Sequence, residues 1–265
     1  MRRTLLAAIL TVGAALAAGA CAGTRFARTY EYEEDLHLDL DGSATLVVNA
    51  SIPALVALHG VDLPVDPRAR LDRQAIRRAY ESAVTDVQRV SRPWRRQGRR
   101  FVQIRLRVAD VRRLGEAAPF AGNACALGAR GERIEFRRAL ERGARRRVTG
   151  AGWTGRELVA YKLHLPSRVY YHNVRDVDTA EPRGVERGNI LRWEQRLADR
   201  LAGVPLVMEV QVDPEPILYR TLWLFALAFA AALGVLAALV AWAVRRGRAA
   251  ARSAGRGPGA AGLVS

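Results

Sequence analysis

Residues 222–244 form an uninterrupted apolar run, and this run constrains the fold more than any other feature. It contains twenty-three residues and no charged side chain. As an α-helix it would be about 35 Å long, which is enough to cross the hydrocarbon core of a bilayer. A helix buried in a soluble core seldom runs so far without a polar residue. The sequence therefore predicts a transmembrane helix over residues 217–244.

The residues that flank this run predict its orientation. Tyr219 and Trp223 lie at its start and Trp242 lies near its end, where aromatic rings commonly anchor a helix at the lipid head groups. Five arginines and no acidic residue follow the run, within residues 245–265. The positive-inside rule therefore predicts a short cytoplasmic tail over residues 245–265 and places the preceding domain on the opposite side.

Residues 1–20 have the features of a secretory signal peptide. Two arginines precede an apolar stretch over residues 5–18, and Ala18-Gly19-Ala20 forms a cleavage site. Together with the later helix, this signal predicts a single-pass protein of the bacterial cytoplasmic membrane. Cys21 follows the cleavage site directly and is a lipidation candidate. Alternatively, Cys21 and Cys125 could form a disulfide, and the sequence leaves both alternatives open.

Residues 21–216 have the pattern of one extracytoplasmic α+β domain, with a mostly antiparallel sheet and two or three helices. The Asp41-Gly42 dipeptide lies between two stretches of alternating polarity and predicts a first β-hairpin. Pro53–His59 predicts a short apolar helix or a turn, and Asp66-Pro67 predicts the start of a further helix, with Asp as its cap.

The rest of this domain is predicted to be mostly strands. They cover residues 84–94 paired with 100–108, 125–127 paired with 134–140, 158–165, 169–174, 190–197 and 206–212. Gly188-Asn189 is predicted to form the turn before the strand at 190–197. Asp110 is expected to cap a short helix, and the Arg- and Gly-rich residues 141–156 are expected to form a loop.

Positive charge is concentrated in residues 67–147, which hold 23 Arg and 8 acidic residues. One interpretation is a basic face that contacts anionic lipid head groups or an acidic envelope polymer. The other is composition, because 41 of the 42 basic residues are arginines, as an arginine-rich codon usage would produce. The candidate residues for an anionic surface lie at a predicted hairpin tip and are Arg95, Arg96, Arg99 and Arg100.

The sequence contains no short motif for catalysis, cofactor binding or metal binding. His164 and His172 are eight residues apart with a proline between them, which is not a metal-ligand spacing. Cys125 has no neighbouring pattern that would make it a nucleophile, and no nucleic-acid-binding motif is present. We therefore expect a non-enzymatic binding module without a cofactor, whose partner is the membrane, anionic lipid or another envelope protein. An envelope hydrolase without a short motif is the alternative.

Three segments are similar to a known family. They are the hairpin DLDGSATLVVNASI, the segment HLPSRVYYHNV and the strand GNILRWEQRL before the apolar run. In this order, with Pro166, Asn173 and Trp193 at matching points, they resemble the LppM-type domain of bacterial envelope proteins. Ser167 stands where the family pattern has Gly, and the arginine-rich middle is not part of the match. The resemblance implies an exported, membrane-tethered and non-enzymatic domain, with envelope lipids as a ligand class.

Overall fold

A computed structural model describes residues 28–186 and 189–254 of the chain. The predicted signal peptide and Cys21 lie outside the described residues, so neither cleavage nor lipidation is tested. The chain divides into two units, a folded domain that ends at Pro214 and a C-terminal unit that begins at Glu215.

The folded domain has the predicted α+β class. Its strands are β1 (Tyr30–Leu38), β2 (Ala44–Ser51), β3 (Thr85–Val90), β4 (Trp94–Arg96), β5 (Arg99–Val108), β6 (Asn123–Arg130), β7 (Arg133–Leu140), β8 (Leu158–His164), β9 (Ser167–His172), β10 (Ile190–Arg196) and β11 (Leu206–Pro216). Its helices are α1 (Ile52–His59), α2 (Arg73–Tyr80) and α3 (Leu197–Ala202), with 3-10 helices at Val111–Glu116 and Ala118–Phe120. The C-terminal unit contains α4 (Ile217–Ala254).

The strands form two sheets. The first has the order β10-β8-β1-β2-β5-β3, and β4 also pairs with β5. The second has the order β6-β7-β11-β9. The pairs β1–β2, β2–β5, β3–β5, β4–β5, β6–β7, β7–β11 and β8–β10 are antiparallel. Strand β1 pairs with β8 in parallel, where Leu36 lies opposite Leu163. The mostly antiparallel arrangement expected from the sequence is therefore confirmed, with this one parallel pair added.

One hydrophobic core joins the inner faces of both sheets. Because side chains alternate along a strand, β2 and β5 each direct every second residue into this core. Leu46 and Leu106, which face each other across these strands, are completely buried. Phe136 and Val210 of the second sheet belong to the same core. Helix α1 is capped by the Ser51 side chain and fills the core with its first six residues, as its apolar sequence predicts.

The predicted start of the second helix is wrong. Asp66 does not cap a helix, because its carboxylate accepts a hydrogen bond from the Arg68 backbone N–H (2.8 Å) and forms a local turn. Helix α2 begins at Arg73 instead. Its cap is Asp72, whose carboxylate accepts from the backbone N–H groups of Gln74 (2.8 Å) and Ala75 (3.1 Å).

One strand prediction also needs correction. The predicted strand at 84–94 is two strands, β3 and β4, and both pair with β5. Pro93 lies in the gap, where it has no N–H to contribute to a sheet. The predicted strands at 169–174 and 190–197 are present as β9 and β10, and they lie in different sheets.

Helix α4 is long and apolar enough to cross a membrane, and it is the one such helix in the described part of the chain. It extends beyond the predicted end at residue 244. The side chains of Tyr219, Trp223 and Trp242 are exposed along it. The Tyr219 ring packs edge-on against Trp223 at 6.5 Å, and the Arg246 guanidinium lies 5.1 Å from the Trp242 ring. The orientation across a membrane stays a prediction.

Candidate anionic-surface site

The tip of the β4–β5 hairpin presents an exposed tryptophan. Gln97 and Gly98 form its turn with positive φ angles of 49° and 75°, as a tight two-residue turn between antiparallel strands requires. Trp94 lies opposite Phe101 in the strand register, and their rings stack at 6.0 Å. Phe101 is buried, whereas 40% of Trp94 is exposed. The buried ring therefore supports an indole that remains accessible to a binding partner.

Arginines without a carboxylate partner among the described residues flank this tryptophan in the chain. Arg95 and Arg96 are exposed, and neither has a carboxylate partner among the described residues. Arg95 donates to the Pro67 carbonyl (3.2 Å), and the Arg96 guanidinium lies 5.8 Å from the Phe101 ring. Exposed arginines also lie just before the hairpin and in the neighbouring loop. We call Trp94 and these arginines the Trp94 surface; they are Arg68, Arg70, Arg92, Arg95 and Arg96.

The other two predicted arginines have internal partners. Arg99 forms an ion pair with the buried Glu31 (2.8 Å), and only 12% of its side chain is exposed. Arg100 is buried and donates to the backbone carbonyls of Ala69 and Pro64. Burial lowers the pKa of Arg100. Neighbouring residues of a strand point to opposite faces, so Arg99 and Arg100 hold the hairpin against two different parts of the domain.

Four other aromatic residues of the folded domain have separate surroundings. Trp193 is buried in the core, where its Nε1–H donates to the Asn173 side chain (2.8 Å). Trp153 donates its Nε1–H to the buried Glu31 (3.2 Å). Tyr170 and Tyr171 are exposed on β9. Two of these rings are therefore structural, and the other two lie on the surface.

Neither Cys125 nor Ser167 has the surroundings of an activated nucleophile among the described residues. Burial raises the pKa of the Cys125 thiol, although the nearby Arg138 opposes this, and a reactive cysteine needs the opposite shift. Ser167 is buried, and its hydroxyl has no hydrogen-bond partner among the described residues. Within residues 28–186 and 189–254, no cluster of three acidic, His or Cys side chains is arranged to hold a metal ion.

A buried ion pair connects the two sheets and was not anticipated from the sequence. Arg138 on β7 donates to Glu34 on β1 (2.7 Å), and both side chains are almost completely inaccessible. Arg138 also donates to the Asn123 side-chain oxygen Oδ1 (2.6 Å), and the Tyr32 hydroxyl donates to Glu34. The polar groups of this network satisfy one another, as buried charges require.

Comparisons with known proteins provide limited information. No protein-family model matches the chain, and no curated protein matches it either. Among solved structures, the chain is similar to the NMR structure of the folded domain of Mycobacterium tuberculosis LppM. The two are 13% identical, the similarity covers 70% of this chain and 91% of that one, and the TM-score is 0.36. At this level the likeness is a weak structural similarity and carries no further argument.

Proposed function

We propose that this protein is a membrane-tethered binding module whose folded domain contacts anionic lipid head groups through the Trp94 surface. The observation that supports the proposal is the exposed Trp94 between arginines that have no carboxylate partner in the described chain. Tryptophan is favoured at the boundary between water and lipid, and arginine is attracted to anionic head groups. The module needs no catalytic group for this role.

The energetics favour a weak and reversible contact. Each arginine near an anionic membrane surface contributes on the order of 1 kcal/mol, so the five arginines of this surface suffice for transient binding. Tethering by α4 keeps the domain near the lipid, which raises its effective concentration and makes a weak affinity sufficient. The expected contact is therefore sensitive to salt.

The full chain in lipid nanodiscs provides the test. Hydrogen exchange at residues 92–98 should be slower in anionic than in neutral nanodiscs, and the difference should disappear at high salt. Replacing Arg95 and Arg96 with Gln should also remove it. The matched control replaces Arg105 and Arg107, which are exposed on β5 and also lack carboxylate partners among the described residues. Equal exchange in both lipids, or an equal effect of the control, would contradict the proposal.

A further inference from the structure

A small pocket lined by three arginines adjoins the buried Glu34–Arg138 ion pair. The pocket lies between the end of α1, the 3-10 helix at Ala118–Phe120, the start of the arginine-rich loop and α3. Its volume is about 40 Å³, which is room for about three water molecules or one small oxyanion. We call it the basic pocket; its polar lining includes His59, Asn123, Arg142, Arg145, Tyr161 and Arg200.

The three arginines lack a carboxylate partner among the described residues. Arg145 donates to the carbonyls of Ala118 (2.5 Å) and Ala121 (2.8 Å). Arg200 is buried and donates to the carbonyls of Leu140 (2.9 Å) and Arg142. Carbonyl oxygens satisfy these N–H groups but carry no net negative charge. The basic pocket therefore retains an excess of positive charge in a partly desolvated place, where charge interactions are strong.

The carboxylate that lines the pocket does not neutralise this excess. Glu34 is already paired with Arg138 (2.7 Å), so the two charges cancel. The side chain of Arg142 makes no hydrogen bond within the described part of the chain. Burial, followed by repulsion from Arg142, lowers the pKa of Arg145. This position thus disfavours the positive charge of Arg145 in the absence of an anion.

The backbone leaves room for these arginines at two glycines. Gly122 has φ +95°, and a Cβ atom there would lie 2.7 Å from the Cβ of Arg142. Gly60 has φ +70°, and a Cβ atom there would lie 3.4 Å from the Cβ of Arg145. Backbone hydrogen bonds from Ala144 to Leu201 (2.9 Å) and from Arg145 to Ala57 (2.7 Å) hold the loop in place. The pocket is therefore part of the fold and not an accident of exposed side chains.

We infer that the basic pocket binds a single small oxyanion, such as a phosphate group. Guanidinium groups recognise such oxyanions through charge-assisted hydrogen bonds with defined geometry. The small volume admits one such group, so any larger molecule that carries it must extend out of the pocket. The phosphate comes either from free inorganic phosphate or a soluble ester, or from a lipid head group. This site uses different residues from the Trp94 surface and goes beyond the proposed function.

The test is a titration of the full chain, in neutral detergent, with inorganic phosphate. Calorimetry should show saturable binding to one site, and Arg142→Gln should weaken it about tenfold or more, because one charged hydrogen-bond donor is lost. Arg142 is exposed, so this change should not disturb folding. The matched control is Arg146→Gln in the same loop, where Arg146 pairs with Asp62 (2.6 Å), and it should bind phosphate normally.

A second arm identifies the source of the phosphate group. The titration is repeated in nanodiscs with and without phosphatidic acid, whose phosphate is exposed. If phosphatidic acid competes with inorganic phosphate, the pocket binds a lipid head group. If it does not compete, the pocket binds a soluble phosphate. No saturable binding by the natural chain, or an equal loss in both variants, would overturn the inference. Neither result would bear on the proposal for the Trp94 surface, since Arg95 and Arg96 are unchanged in every sample.

Discussion

At the scale of single residues, the most consequential side chains are buried charges that compensate one another. Glu33, Glu34 and Asp35 are consecutive acids on β1, but only Glu34 points into the core. Its partner Arg138 is 104 residues away in sequence. Removing one member of a buried pair leaves the other charge uncompensated, which costs more than the intact pair contributes.

We therefore expect Arg138→Met to lower the free energy of unfolding by about 3–5 kcal/mol. The double change Glu34→Gln with Arg138→Met should recover part of this loss, because no lone charge remains. The neighbouring Arg137→Met is the matched control, since Arg137 is exposed and pairs with Glu209 at the surface (3.2 Å); it should cost less than about 1 kcal/mol. Urea unfolding of the full chain in detergent measures all three. A double variant no more stable than Arg138→Met would count against the pairing argument.

His59 provides a second prediction at this scale, which concerns pH. Its ring stacks between Tyr32 (5.0 Å) and Tyr80 (5.7 Å), and its Nδ1 atom has no partner in the described chain. Burial lowers the pKa of His59 to about 4; the Arg145 and Arg138 charges reinforce this shift, and Glu34 opposes it. In the unfolded chain the histidine pKa is about 6.5.

Because the folded pKa is depressed, the unfolded chain takes up a proton first as the pH falls. The contribution of neutral His59 to stability is complete above pH 6.5 and is lost between about pH 6.5 and 4, up to about 3 kcal/mol. His59→Phe should therefore lose less stability than the natural chain between pH 7 and pH 4.5. Urea unfolding at both pH values checks this. An identical loss in the two chains would show that His59 is not the titrating group.

At the scale of elements, caps and turns determine where each helix and hairpin begins. Asp72→Ala should destabilise α2 by about 1 kcal/mol, because two backbone N–H groups lose their acceptor. Asp66→Ala, which removes a turn contact to one N–H, should cost less. Thermal unfolding of the two variants compares these positions directly. A larger loss of stability from Asp66→Ala than from Asp72→Ala would contradict the assignment of Asp72 as the cap of α2.

These elements also show how far sequence reasoning reaches. The Asp41-Gly42 hairpin and helix α1 were predictable, because a turn dipeptide and an apolar run are local signals. Asp66 and Asp72 are both local signals for the start of a helix. The choice between them depends on the packing of Ile76 and Tyr80 in the core, which is not a local property. The separation of β9 and β10 into two sheets depends on long-range pairing, which no local pattern contains.

The candidate sites were predictable only in part. The arginine cluster predicted exposed side chains at the tip of this hairpin, and Arg95 and Arg96 are exposed there. It did not reveal that Arg99 and Arg100 have internal partners, because Glu31 and the carbonyls of residues 64 and 69 are distant in sequence. Trp94 was overlooked, although an aromatic residue among arginines next to a turn is a usable signal. The basic pocket combines residues from several segments that are far apart in the sequence, so it becomes visible only in the fold.

At the scale of the whole molecule, the arginines after residue 244 predict a cytoplasmic C-terminus. A reporter fused after Ser265 should be active in the cytoplasm, and one inserted near Arg183 should be active outside. Protease treatment of intact spheroplasts should then remove the folded domain and spare the tail. Protection of the domain would reverse the predicted orientation.

The central claim is that the Trp94 surface approaches anionic lipid, and a distance measurement tests it most directly. The full chain is placed in nanodiscs that contain spin-labelled head groups, and relaxation of the Trp94 indole N–H signal is recorded. The Trp153 indole, whose N–H donates a hydrogen bond to the buried Glu31, is the internal reference. We expect enhanced relaxation of Trp94 in anionic nanodiscs. It should disappear at 1 M salt, where the Debye length is about 3 Å, and when Arg95 and Arg96 are replaced by Gln. Equal relaxation of Trp94 in neutral and anionic nanodiscs would contradict the account.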